Sequence, residues 1–122
     1  MNETTRLDDH ADLRGYVINP FEHLQSTCLI TNCHIFSIEP GHVRGNHTHH
    51  GRNEEVIVLS GQLVIRMPDK DEAYNLSEAD ILIIDPGVHH IFSNEKDSTA
   101  VAICWSSSRD EEYKGPDTVY YD

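Results

Sequence analysis

Apolar residues fall along this chain in short, β-branched runs, each closed by a turn signal within a few residues. The runs Leu29 to Ile38, Glu55 to Leu59, Gln62 to Met67, Ile81 to Ile84, His89 to Ser93 and Thr99 to Trp105 predict strands. Asn19-Pro20, Pro40-Gly41, Gly51, Ser60-Gly61, Pro68-Asp69, Pro86-Gly87 and Asn94 punctuate the chain, and no segment sustains a helical apolar period. An all-β barrel or sandwich is the expected class. Val56-Ile57-Val58-Leu59 is apolar on both faces, so one face is expected to line a barrel and the other to pack on a second sheet or a partner subunit. The segment Val56 to Ile65 reads as a two-residue hairpin turning at Ser60-Gly61, with glycine supplying a positive φ.

The length of 122 residues suits one domain that needs no disulfide staple. Its expected divisions are an N-terminal arm or edge strand over 1–24, a barrel over 25–108 and an acidic surface tail over 109–122. Acidic residues outnumber basic ones by 21 to 9, for a formal charge of -12, and such a surface repels phosphate backbones and anionic headgroups. Nucleic acid and membrane are therefore not expected as partners. The first ten residues lack the basic and apolar stretches of a secretory signal. The aliphatic run Ile81 to Ile84 is far short of the ~20 residues of a membrane helix. A soluble, cytoplasmic protein is expected, with Cys28, Cys33 and Cys104 as reduced thiols, since their spacing fits neither a redox pair nor a zinc knuckle.

One cluster changes the picture. His47-Thr48-His49 puts two imidazoles two residues apart, and in a strand such residues project from the same face. Glu54 follows a short bend containing Gly51, and His90 follows the Pro86-Gly87 turn. Together, three imidazoles and a carboxylate suit one Zn, Mn, Fe, Co or Ni ion and leave positions for water or substrate. The alternative is a metal-free barrel whose histidines hydrogen-bond one another. His50 and His89 should turn to the opposite face by alternation, and His10, His23, His34 and His42 carry no ligand spacing, although His34 faces the pocket if its strand does.

The stretch Gly41-His42-Val43-Arg44-Gly45-Asn46-His47-Thr48-His49-His50-Gly51-Arg52-Asn53-Glu54, followed after six residues by Gly61, resembles the first cupin motif at every fixed position. Ala79 to Asn94 resembles the second motif through Gly87, His90 and Asn94, with Ala79 in place of the usual glycine and Asp85 in place of the usual proline. Those two departures touch turn geometry rather than ligands. The resemblance covers about residues 34 to 105 and implies a double-stranded β-helix, the jelly-roll cupin barrel.

Within that superfamily, Arg44-Gly45-Asn46-His47-Thr48-His49 resembles the RGxHxH stretch of the TDP-sugar 3,4-ketoisomerases. Some cupins use this histidine pair as acid and base without metal. Asp12-Leu13-Arg14-Gly15 and the tyrosine-rich stretch from Tyr113 to Tyr121 agree in outline. Glu54 stands where that group carries glutamine, and His90 where it lacks a histidine ligand. In both respects the chain is more similar to the C-terminal cupin domain of capsular-polysaccharide reductases, which acts on a UDP-linked keto-sugar.

The resemblance implies a metal-dependent isomerase or epimerase of a nucleotide-linked keto-sugar in surface polysaccharide synthesis. The base would be His34, Tyr74 or a metal-bound hydroxide, and Arg44 and Arg52 would hold the substrate diphosphate. The alternatives are a metal-binding cupin that senses a small ligand without turnover, or a small dioxygenase. A homodimer is expected from the two-sided apolar strands and the habit of the family.

Overall fold

The computed structural model describes residues 5–6, 10–13, 15–17, 32–106 and 118–121. Twelve strands follow in chain order: β1 Thr5–Arg6, β2 His10–Asp12, β3 Gly15–Val17, β4 Asn32–Ile38, β5 Val43–His49, β6 Glu54–Ser60, β7 Leu63–Met67, β8 Glu72–Leu76, β9 Asp80–Ile84, β10 His90–Ser93, β11 Ala100–Ser106 and β12 Thr118–Tyr120. A single 3-10 turn, Pro68–Lys70, is the only helical element among the described residues. No helix there is long and apolar enough to cross a membrane.

Two five-stranded antiparallel sheets, in the orders β1-β9-β6-β11-β4 and β12-β5-β10-β7-β8, face each other, and β2 and β3 pair separately. This is the expected jelly roll. The space between the sheets is filled by alternate residues of each strand, among them Ile38, Val56, Val58, Leu63, Ile65, Leu76, Ile84 and Phe92. Each such side chain contributes about 1.5–3 kcal/mol on full burial. The other face of β6, β9 and β11 buries Ile57, Ile81 and Trp105 together, which accounts for runs that are apolar on both sides. There Trp105 Nε1 donates to the buried Glu55 carboxylate.

The Val56 to Ile65 hairpin is not formed. β6 pairs with β9 and β11, whereas β7 pairs with β8 and β10, so Gly61 turns a corner between sheets. Gly61 has φ +77°, and a Cβ there would lie 2.5 Å from the carbonyl oxygen of Thr99. That close approach of backbone to backbone gives the motif glycine its physical reason. Tight turns link neighbours within a sheet or across a barrel corner equally well, and local sequence does not distinguish the two.

Three other expectations change. β8 lies in a segment read as a connection, and β5 extends well beyond its histidine pair. β12 makes part of the expected tail a barrel strand, paired to β5 through Thr118↔His49 and Tyr120↔His47. The start of the first expected strand (29–31), Cys28, His23, Arg14 and 107–117 lie outside the described residues.

The second-motif residues act on the backbone. Asn94 is buried, donates through Nδ2 to Ile38 O and Ser98 O at 2.8 Å each, and accepts at Oδ1 from Lys96 N at 3.0 Å, tying three segments together. Ala79, in the usual glycine position, adopts φ +69° while fully buried. Left-handed backbone at a residue with a Cβ costs roughly 1–2 kcal/mol, so the departure is accommodated at some strain.

Candidate metal centre

His47 and His49 project from the end of β5, and His90, the first residue of β10, is the cross-strand partner of His47. The bend over 50–53 carries the chain to the opposite sheet, where Glu54 opens β6 and faces the three imidazoles. One donor atom from each of His47, His49, Glu54 and His90 lies within 4.8 Å of the others. All but His47 are buried. His50 and His89 stay outside the cluster, His89 hydrogen-bonding Asn46 Oδ1 through Nε2 at 2.7 Å and stacking on Tyr121.

The hydrogen bonds around the cluster determine where its lone pairs point. His90 Nδ1 lies 2.9 Å from the carbonyl oxygen of Val88, which can only accept, so Nδ1 carries the proton and Nε2 a lone pair. That lone pair faces Glu54 Oε1 at 3.4 Å. Two acceptors at that separation in a buried wall repel unless a proton or a cation lies between them. His47 Nε2 and His90 Nε2 are buried without a hydrogen-bond partner among the described residues. Orphaned nitrogens beside a carboxylate fit a divalent ion, and the donor set suits the first-row metals and zinc.

Glu54 has its second oxygen occupied, because the Cys104 thiol donates to Oε2 at 2.8 Å. Burial pushes the Glu54 carboxyl up, but His49, His90 and the Cys104 thiol together outweigh it and hold the group well below the usual carboxylate range. Burial, then the neighbouring His90 and His49, lowers His47 from 6.5 to about 4. Both shifts favour the forms that ligate a cation near neutral pH, His47 neutral and Glu54 charged.

A β-bulge aims a further residue at the site. Gly45 and Asn46 have φ +86° and +58°, and the register slips by one residue between His90/Ile91 and their β5 partners. Arg44 therefore pairs with Phe92 on the interior-facing side shared by His47, although the two are an odd number of residues apart. Its Nε donates to Ser37 O at 2.8 Å, and its Nη1 and Nη2 have no hydrogen-bond partner among the described residues. His34 lies on the same row as Cys104 and Val56 and is exposed. Tyr120, which sequence reading left in the tail, stands edge-on to His47 with ring centroids 5.6 Å apart. Only the pairing of β12 with β5 puts it there.

Two expected site residues are placed differently. Tyr74 lies on β8, three strands from β5, about 14 Å away at the usual ~4.8 Å strand spacing. Its hydroxyl donates to Glu72 at 2.6 Å, and that bond raises its pKa. Arg52 has Nη1 donating to Ser106 Oγ at 2.9 Å and Nη2 at 3.0 Å from His49 Nδ1.

The cupin domain family profile matches residues 34–106, more than half of the chain. The chain belongs to the cupin family. Its solved relatives include the capsular polysaccharide assembling protein CapF from Staphylococcus aureus, at 32% identity and TM-score 0.58, over 72% of this cupin. The cupin spans only 27% of the CapF chain. The QdtA 3,4-ketoisomerase from Thermoanaerobacterium thermosaccharolyticum, solved as a double mutant with TDP, shares the fold over 98% of this cupin and 86% of its own chain, with TM-score 0.70 and 20% identity. A further QdtA mutant, solved with TDP-4-keto-6-deoxyglucose, matches at TM-score 0.70 and 17% identity over the same shares of the two chains. Nothing among curated protein sequences matches significantly.

Proposed function

We propose that this cupin is a metal-dependent isomerase or epimerase of a nucleotide-linked keto-sugar, with His47, His49, Glu54 and His90 as the ligands of one divalent ion. The observation that carries the reading is the buried approach of His90 Nε2 to Glu54 Oε1, 3.4 Å apart. His34 on β4, Arg44 on β5 and Tyr120 on β12 are exposed and are the groups we assign to substrate. A Zn, Mn, Fe, Co or Ni ion bound there supplies a Lewis acid that polarises the keto oxygen and makes the neighbouring C–H more acidic.

The remaining work falls to the chain's own groups. Moving a carbonyl along a sugar requires a proton to leave one carbon and arrive at its neighbour, and a single imidazole above one face can do both; we assign this role to His34. Epimerisation needs a donor on the opposite face of the same carbon. We assign that role to the Tyr120 phenol, which lies on β12 beside His47. The outer nitrogens of Arg44 suit a diphosphate, because a planar guanidinium matches phosphate oxygens in a bidentate way. The likeness to CapF, and the nucleotide and keto-sugar held by QdtA on the same fold, support this class of substrate.

The test is deuterium wash-in. In D2O, the metal-loaded protein is expected to exchange the proton beside the keto group of TDP- or UDP-4-keto-6-deoxyglucose, seen by proton NMR, and chelation is expected to stop it. Binding of these sugars with no exchange would replace the enzyme reading with that of a ligand-binding cupin.

A further inference from the structure

The least expected contact at the cluster is that of Arg52. A guanidinium has five N–H donors and no acceptor, so its Nη2 at 3.0 Å from His49 Nδ1 requires a lone pair on Nδ1. The single proton of a neutral imidazole then sits on Nε2, the nitrogen that stands against Glu54 Oε1 within the cluster. An ion bound through Nε2 requires the opposite tautomer, with the proton on Nδ1. Thr118 Oγ1, 2.9 Å from Nδ1, serves either form because a hydroxyl both donates and accepts. Arg52 serves only one.

We infer that Arg52 is a positioning residue that gates the metal centre: it holds His49 in the tautomer that cannot ligate through Nε2, and must withdraw from Nδ1 when an ion binds. The inference rests on the metal reading proposed above. No net proton is gained or lost by the imidazole; Nε2 releases one to solvent, Nδ1 takes one from solvent, and the new Nδ1–H donates to Thr118 Oγ1. Arg52 has a second anchor at Ser106 Oγ, 2.9 Å from Nη1, about which the guanidinium can turn. The arrangement opposes metal binding twice, through the tautomer and through a positive charge beside the cation. Thr118 does the reverse, as the outer partner that orients a ligating histidine.

Opposite signs for neighbouring substitutions make the inference testable. Zinc affinity would be measured by competition with a chromogenic chelator for the wild type, Arg52→Gln and Thr118→Val. Glutamine can accept the Nδ1 proton, so Arg52→Gln is expected to bind zinc about ten-fold or more tightly than wild type, and Thr118→Val about ten-fold more weakly. A residue that merely braced the loop would make Arg52→Gln weaker, and affinity equal to or below wild type overturns the gate. Nitrogen-15 NMR of the wild-type histidines gives an answer independent of any variant's folding. The expected His49 signature is a proton on Nε2 without zinc and on Nδ1 with it; a proton on Nδ1 in the metal-free protein overturns the inference. A folded wild type that binds no zinc sinks the metal reading and the gate together, whereas zinc binding unaltered by Arg52→Gln sinks the gate alone.

Discussion

The Cys104 thiol donates a hydrogen bond to Glu54 Oε2 over 2.8 Å, strand to strand, in a wall where both residues are buried. Burial, followed by the adjacent Glu54 charge, pushes the Cys104 pKa up, so the sulfur stays protonated as a donor. With Oε2 held this way, Oε1 is the oxygen presented to the three imidazoles. Cys104→Val fills similar space but leaves a buried carboxylate oxygen without its donor. It is expected to cost about 1–3 kcal/mol in urea denaturation and to weaken metal binding about ten-fold or more, with Cys104→Ser much closer to wild type.

Acid should loosen the metal-free fold through His47. The unfolded chain takes a proton on this residue near pH 6.5 and the folded chain only near pH 4. Between those values the unfolded state binds more protons, so stability falls as the pH drops; above the window both states are neutral and the contribution is constant. Glu54, held below its ordinary range, adds its own loss only at lower pH. The melting temperature of chelator-treated protein is therefore expected to fall from pH 6.5 to 5, and His47→Gln to flatten that slope. An identical slope in the variant would remove His47 as the cause.

Nucleotide recognition is assigned to Arg44. UDP or TDP is expected to stabilise the wild type in thermal-shift and calorimetric measurements, and Arg44→Ala to lose that response while keeping its metal. A charged hydrogen bond in a pocket contributes ~1.5–3 kcal/mol, a ten-fold or larger change in affinity. Retained nucleotide binding in Arg44→Ala would move the diphosphate elsewhere.

Gly61 tests the corner between the sheets. Gly61→Ala would place a methyl 2.5 Å from Thr99 O at φ +77°, and is expected to destabilise the fold by about 1–3 kcal/mol in chemical denaturation. A neutral substitution would mean that the corner relaxes.

Much of the fold and the centre of the site was legible in the sequence for a definite reason. The four clustered residues lie in two compact stretches, His47 to Glu54 and the turn before His90, where strand alternation and one bend bring them together. Whatever depends on distant pairing was not legible. Tyr120 and Thr118 reach the site only because β12 lies against β5, and no local pattern marks a three-residue strand after a long acidic segment. Arg44 shares a face with His47 only through the bulge at Gly45 and Asn46, which simple alternation does not anticipate. Tyr74 was drawn away because β8 sits at the far edge of its sheet, and Arg52 because its guanidinium found partners in His49 and Ser106.

The measurement that tests the account most directly is elemental analysis of protein purified without added metal and then loaded with zinc, nickel or manganese, set beside the His47→Ala/His49→Ala double variant. About one ion per chain is expected in the wild type and almost none in the double variant, with both proteins folded by circular dichroism. Equal occupancy in the two, or a folded wild type that takes up no ion from any of the three metals, would contradict a centre built on His47, His49, Glu54 and His90.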